Sequence, residues 1–173
     1  DTTMHPADLQ LHVLHEDDDC MVIDKPAGYA VHPGSCMDPD EKTMLHGIAF
    51  LFGEKSIDFS SDAVLVHRLD KETTGCLLFA KTLEAHGIFQ KQFEQRDVKK
   101  QYLAIVHGVT NAPKAIIDAP IGRNLTDRTR MSVLRTGKSR EAKTSYHILD
   151  STNDVALLEC DLHTGRTHQV RVH

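Results

Sequence analysis

Short apolar runs bounded by polar and turn-forming residues dominate the hydrophobic pattern of this chain. Such runs are typical of buried strands. We therefore predict strands at residues 20–23, 63–66, 76–80, 102–106, 146–149, 155–162 and 169–172, with short ones near residues 116 and 131. Two segments instead repeat their apolar residues at helical spacing, which predicts helices at 43–52 and 82–95. The second helix should bury Ala85, Ile88, Phe89 and Phe93. Proline and glycine mark a loop at 33–42.

The predicted fold class is α+β, with a mixed, largely antiparallel sheet flanked by helices. Strands outnumber helices in the prediction, and many of them are close together in sequence, which favours antiparallel pairing. A length of 173 residues fits one domain. The 40% apolar and 26% charged residues are ordinary for a globular protein and argue against disorder.

Cysteine usage and hydropathy indicate the compartment. The four cysteines are dispersed and form no Cys-x-x-Cys pair, which favours a reduced protein over a disulfide scaffold. No apolar run approaches the ~20 residues that a membrane-spanning helix needs. We expect a cytoplasmic protein, or an organellar one if a presequence was removed.

The net charge of −5 argues mildly against a protein that binds nucleic acid over its whole surface. Positive charge is nevertheless concentrated in residues 121–143, a segment that contains seven Lys and Arg residues but only two acidic residues. A basic face of this kind can contact phosphates. A solvated loop explains the same composition equally well.

The most suggestive polar segment is residues 67–75, His-Arg-Leu-Asp-Lys-Glu-Thr-Thr-Gly, which follows the predicted strand 63–66. A carboxylate presented by a loop at the end of a strand can serve as a nucleophile or a base, and Asp70 is the candidate. The alternative is a surface turn in which Asp70 pairs with Arg68 or Lys71.

A second polar segment, residues 164–173, combines two arginines, two histidines and a glutamine around a predicted strand. Strand alternation would place Gln169 and Arg171 on one face, where an arginine could keep a catalytic carboxylate ionised. A salt-bridged edge strand is the alternative. His163, His168 and His173 lie at five-residue intervals, which is not a recognised spacing of zinc ligands.

Tyr102 begins another predicted strand, after two lysines. A tyrosine at such a position can stack on a base or take part in proton transfer. A core tyrosine with a satisfied hydroxyl is the commoner arrangement.

Taken in order, these segments resemble the RluA-type branch of the pseudouridine synthases, enzymes of ribosomal and transfer RNA. Residues 67–75 are similar to the family's signature. Further similar blocks are residues 23–28 with 31–34, residues 100–104, residues 120–123 with 127–128 and 130–131, and residues 164–173. The resemblance runs from about residue 11 to residue 173 and implies the pseudouridine synthase catalytic fold. It also implies one catalytic domain over residues 1–173 that lacks the family's C-terminal part, with no S4-like domain.

The resemblance implies three catalytic residues. Asp70 matches the essential carboxylate, and Arg171 matches the arginine that forms an ion pair with it. Tyr102 matches the tyrosine that stacks on the target uracil and takes part in proton transfer.

The same comparison implies a set of RNA contacts. Arg68 matches an arginine that can fill the space left by a flipped base. The other expected RNA-binding residues are His67, Lys25, Arg123, Arg128, Arg130, Arg166, His168 and Gln169.

The implied activity is isomerisation of specific uridines in ribosomal or transfer RNA to pseudouridine, with the target base flipped out of the stack. The implied enzyme is an isomerase that uses no cofactor or metal, has RNA as its partner and works as a monomer without an obligate protein partner. Two rival functions are a catalytically silent RNA-binding fragment and a hydrolytic glycosidase, which would need a second carboxylate to activate water.

Overall fold

The structure, a computed structural model, describes residues 4–173. It forms two compact units, of which the first extends to Gln95 and the second runs from Arg96 to His173. Antiparallel sheets with few helices confirm the predicted α+β class. Among residues 4–173, no helix has the length and apolar character needed to cross a membrane.

The first unit contains a three-stranded antiparallel sheet in the order β1-β2-β3. Its strands are β1 His12–Glu16, β2 Cys20–Lys25 and β3 Gly75–Ala80. Its helices are α1 Met44–Glu54, α2 Ser61–Val64 and α3 Leu83–Glu94.

The core of the first unit lies between the sheet and α1. Met21 and Ile23 of β2, Phe79 of β3, and Ile48 and Phe52 of α1 have no exposed surface. Burying side chains of this size stabilises the fold by ~1.5–3 kcal/mol each. The strand β2 is thereby fixed along its whole length, and its last residue is Lys25.

The second unit contains a four-stranded antiparallel sheet in the order β4-β9-β8-β5 and a separate hairpin of β6 and β7. The strands are β4 Lys100–His107, β5 Lys114–Asp118, β6 Ile121–Arg123, β7 Met131–Val133, β8 Lys143–Ser151 and β9 Val155–Leu162. A one-turn helix, α4 Gln169–Val172, follows the last strand.

Alternation along β4 and β9 creates the core of the second unit. Tyr102 and Ala104 of β4 pack with the buried residues Ala156, Leu158 and Cys160 of β9. The neighbouring residues of β4 point to the opposite face and are exposed.

Most predicted elements are confirmed, and β9 has the predicted bounds. The predicted strand at 63–66 is wrong, because α2 occupies its first part and Leu65 makes only an isolated bridge to Phe79. The predicted strand at 169–172 is also wrong, because these residues form α4. Burial of Ile88 is a third wrong prediction, since its side chain is 51% exposed.

Candidate active site

The candidate catalytic carboxylate, Asp70, is half-buried on a loop between α2 and β3. We call residues 67–74 the Asp70 loop. The loop turns immediately after Asp70, whose carbonyl oxygen accepts a 3.0 Å hydrogen bond from the amide of Thr73. Gly75 ends the turn with a φ of 115°, a conformation that glycine adopts without the strain of a side chain.

Lys25 ties the Asp70 loop to the end of β2. Its ammonium donates hydrogen bonds to the carbonyl oxygens of Lys71 at 2.8 Å and of Thr73 and Pro26 at 2.9 Å. The backbone amide of Gly28 donates a further 2.9 Å bond to Lys71. The backbone on both sides of the turn is thus held by an element of the core.

The environment of Lys25 differs from that of a surface lysine. The residue has no exposed surface, and burial lowers the pKa of its ammonium, an effect opposed by the carboxylates of Glu72 and Asp70. Its three donors bind protein carbonyls, and the RNA contact expected of Lys25 stays a prediction. Its role in the structure is to position the loop.

Two neighbours of Asp70 anchor the loop, His67 at its start and Lys71 at its turn. The Nε2 atom of His67 accepts a 2.9 Å hydrogen bond from the amide of Leu78, and the imidazole stacks on Phe93 with 4.8 Å between the ring centres. At the turn, Lys71 forms a 2.5 Å ion pair with Glu41. His67, expected to contact RNA, therefore also connects the loop to β3 and α3.

Arg68 is exposed, and its guanidinium donates a hydrogen bond to Nε2 of His32. The other ring nitrogen of His32, Nδ1, lies 2.9 Å from the carbonyl oxygen of Pro33 and must carry the proton to donate there. His32 therefore orients the arginine that we expect to replace the flipped base.

In the second unit, the buried amide of Gln169 is the centre of a hydrogen-bond network. Its Oε1 accepts bonds from the hydroxyl of Thr164 at 2.7 Å and the amide of Arg166 at 2.9 Å. Its Nε2 donates to the carbonyl of Lys143 at 3.0 Å and the hydroxyl of Thr144 at 2.9 Å. All its hydrogen-bonding positions are filled within the protein, and the expected contact between Gln169 and RNA stays a prediction.

The network continues through His173. Thr144 Oγ1 lies 2.8 Å from Nδ1 of His173, whose Nε2 lies 2.9 Å from the carbonyl oxygen of Ala119. Both ends of α4 are thereby attached to the sheet, and Arg171 projects from the exposed side of this helix. His168 precedes α4 with a φ of 57°, the left-handed conformation that allows the sharp turn into the helix.

The other expected site residues lie elsewhere in the second unit. Tyr102 is half-buried on β4, opposite Cys160 of β9. Arg123, Arg128 and Arg130 are exposed on the β6–β7 hairpin, where Arg123 Nη1 donates a 2.9 Å bond to the carbonyl of Arg128.

The structure thus places the expected residues other than Tyr102 and Gln169 in three groups. In the first unit, Lys25 binds the Asp70 loop, and His67 and Arg68 belong to it. Arg166, His168 and Arg171 follow one another around α4 in the second unit, and the three hairpin arginines form the third group. The ion pair between Asp70 and Arg171 joins residues of different units and stays a prediction.

Several residues with a clear role in positioning the site were missed by sequence reasoning. These residues are His32, Glu41, Thr144 and Thr164, and each acts through a contact with a residue 21 to 36 positions away, which local patterns do not reveal. The block at 31–34 was a usable signal for His32.

Among residues 4–173, one group of side chains is close enough to hold a metal ion: His15, Asp17 and Cys20, whose ligand atoms lie within 4.8 Å of one another. Burial, followed by the neighbouring carboxylate of Asp17, raises the pKa of the Cys20 thiol to about 11. A protonated thiol is a poor metal ligand. The group lies on the β1–β2 turn, and His163, His168 and His173 form no such group in the described part of the chain.

Comparison with known proteins places these features in a family. Residues 19–173 match the family model described as RNA pseudouridylate synthase. The chain is 46% identical over 165 residues to ribosomal large subunit pseudouridine synthase D of Nitrosomonas europaea, covering 95% of this chain and 46% of the relative. It is 40% identical to an uncharacterised RNA pseudouridine synthase of Bacillus subtilis, covering all of this chain and 55% of the relative.

A solved structure is also similar. Human RNA pseudouridylate synthase domain containing 4 superposes with a TM-score of 0.74 at 31% identity, over 93% of this chain and 62% of the human one. The chain spans about half the length of the curated relatives it matches. The matched region includes every residue of the Asp70 loop, β4 and α4, and the chain belongs to the RNA pseudouridylate synthase family.

Proposed function

We propose that this protein is an RNA pseudouridine synthase that acts on ribosomal RNA. The observation that carries the proposal is the Asp70 loop, in which a half-buried carboxylate lies on a turn held by the buried ammonium of Lys25. The names of the bacterial relatives, ribosomal large subunit pseudouridine synthase D, support ribosomal RNA as the substrate. The reaction would take place where ribosomes are assembled, which is the cytoplasm in a bacterium.

The proposed reaction exchanges one bond to the ribose for another. The bond from C1′ to N1 of uracil breaks and a bond from C1′ to C5 forms, while C5 loses a proton and N1 gains one. Atoms and electrons balance within the nucleotide. A carboxylate is suited to the electron-poor C1′ that this exchange creates, as in retaining glycosidases, and we assign this role to Asp70.

The remaining roles rest on the family resemblance and on where each residue lies in its unit. Arg171, on the anchored helix α4, is proposed to pair with Asp70 and keep it ionised. Tyr102 is proposed to stack on the uracil and take part in proton transfer. Arg68, oriented by His32, is proposed to fill the space of the flipped base, which offsets part of the few kcal/mol that unstacking costs.

The proposal is tested with purified protein and ribosomal RNA that carries tritium at C5 of uridine. Turnover should release tritium to water and leave pseudouridine in the RNA, with no protein partner added. RNA binding without tritium release would indicate a silent RNA-binding protein. Free uracil among the products would indicate a hydrolase, and either result would overturn the proposal.

A further inference from the structure

Three cationic side chains in the second unit meet near the start of β4: Arg96, Lys100 and Arg166. A Cβ atom added at Gly165 would lie 2.7 Å from Nζ of Lys100, so the ammonium rests against the backbone next to Arg166. Both arginines reach Glu141. Arg166 Nε donates a 2.8 Å bond to its carbonyl oxygen, and Arg96 Nη2 lies 3.7 Å from its carboxylate.

The positive charge of this cluster is only partly balanced. Arg96 pairs with Glu141, whose side chain is 65% exposed. Burial, followed by the charges of Arg96 and Arg166, lowers the pKa of Lys100. Holding three cations together with one exposed carboxylate costs free energy, which a bound anion would recover.

The cluster is also preformed. The backbone amide of Arg166 is fixed by Gln169, and Thr164 just before it is bonded to Gln169 and to the amide of Lys143. The buried network therefore holds the backbone that carries the Arg166 side chain in place before any anion binds. A preformed group of donors loses less conformational entropy on binding.

We propose that Arg96, Lys100 and Arg166 form a binding site for a backbone phosphate of the substrate RNA. The inference rests on the proposed function for the identity of the anion. Guanidinium groups bind phosphate oxygens through paired donors, and an ammonium adds a point charge. Arg166 was expected to contact RNA, whereas Arg96 and Lys100 were not. The site holds the RNA and performs no chemistry, since phosphate contacts fix register and orientation.

Gly165 offers a test that leaves every charge in place. In G165A the new methyl group would occupy the position next to Nζ of Lys100 and displace this flexible end of the side chain. R96Q removes one charge from a side chain that is 50% exposed, so this variant should fold. K114Q is the matched control, because it removes one exposed charge from β5, the strand at the opposite edge of the sheet.

Binding of a fluorescein-labelled RNA hairpin with uridines in its loop is measured over a range of salt concentrations. We expect R96Q and G165A each to bind several-fold more weakly at low salt. The slope of log affinity against log salt should become less steep by ~0.7–0.9 for each lost phosphate contact. K114Q should retain the wild-type slope. Wild-type affinity and slope in both R96Q and G165A would overturn the phosphate site, with folding of each variant verified by its urea midpoint.

Tritium release at saturating RNA separates this inference from the proposed function. K114Q should keep the wild-type rate of tritium release, because Lys114 lies on β5 outside the proposed phosphate site. Unchanged binding slopes with normal tritium release in the wild type would overturn only the phosphate site. No tritium release by the wild type would overturn the proposed function, while altered slopes in the variants would still support a phosphate site.

Discussion

The ammonium of Lys25 donates a 2.9 Å hydrogen bond to the carbonyl oxygen of Thr73, 48 positions further along the chain. This bond and the one to Lys71 connect the buried end of β2 to the turn that follows Asp70. The direction of the Asp70 carboxylate therefore depends on a residue whose side chain does not reach the surface.

Replacing Lys25 by methionine should damage both stability and catalysis. K25M keeps most of the apolar stem but leaves three carbonyl acceptors without the ammonium. We expect a loss of about 1–3 kcal/mol in the free energy of unfolding, measured with urea. Because the turn carrying Asp70 loosens, kcat should fall by about tenfold or more while KM changes little.

K55M is the control for that experiment. Lys55 is 42% exposed and pairs with Glu16, so its loss should cost no more than ~1 kcal/mol and leave kcat unchanged. A K25M variant with wild-type kcat would show that the Asp70 loop keeps its geometry without the buried ammonium.

Replacing Gln169 by leucine should destabilise the second unit. The substitution removes a buried amide that makes four hydrogen bonds and leaves Thr164 and Thr144 without this partner. We expect the free energy of unfolding to fall by about 2–4 kcal/mol. In Q101L, which removes one exposed hydrogen bond to Asp161, the loss should stay below ~1 kcal/mol. Equal effects of the two variants would refute the role given to the Gln169 network.

His46 should make stability depend on pH. Its Nδ1 accepts bonds from the amide and hydroxyl of Thr43 at the start of α1, which requires the neutral ring. Burial, followed by the charge of Lys42, lowers the pKa of His46 below 6.5 in the folded state. The unfolded chain then binds more protons than the folded one, so stability decreases as the pH falls below about 6.5.

The variant H46Q isolates this contribution. A glutamine at this position completes a Thr-x-x-Gln capping box and does not titrate. Urea unfolding from pH 7.5 to 5 should show a smaller loss of stability in H46Q than in the wild type. Parallel curves for the two proteins would exclude His46 as a source of the pH dependence.

Tyr102 should contribute its hydroxyl to turnover. Y102F keeps the ring that is proposed to stack on uracil, and we expect kcat to fall by about 10²-fold or more with little change in KM. Y146F is a matched control, because Tyr146 belongs to the same sheet and its hydroxyl makes a 3.4 Å contact with the carbonyl of Ala112. Full activity of Y102F would leave Tyr102 with a packing role.

The local pattern of apolar and polar residues was sufficient to predict the strands whose side chains point alternately into a core and away from it. Residues 155–162 were predicted as a strand and form β9 with the same bounds, because their apolar side chains face Tyr102 and Ala104 of β4. The same reasoning failed at 169–172, where the two valines suggest alternation. Hydrogen bonds from Gln169 to residues 25 or 26 positions earlier stabilise a helix there instead.

The candidate site could be predicted only as far as motif position allows. The order of the segments indicated Asp70, Tyr102 and Arg171. The burial of Lys25 was not predictable, because a lysine followed by Pro26 and, two residues later, Gly28 is typical of an exposed turn. The carbonyls that make its burial favourable come from Lys71 and Thr73, far away in sequence. Charged side chains are buried when such partners exist, and a linear pattern does not show them.

The central claim is that Asp70 performs the chemistry, and D70N tests it most directly. Tritium release from RNA labelled at C5 of uridine is measured for the wild type, for D70N and for D62N, which removes an exposed carboxylate from α2. We predict normal release for D62N and none above background for D70N, with RNA affinity and the urea midpoint of D70N close to wild type. Tritium release by a folded D70N variant at a rate near that of the wild type would contradict the account.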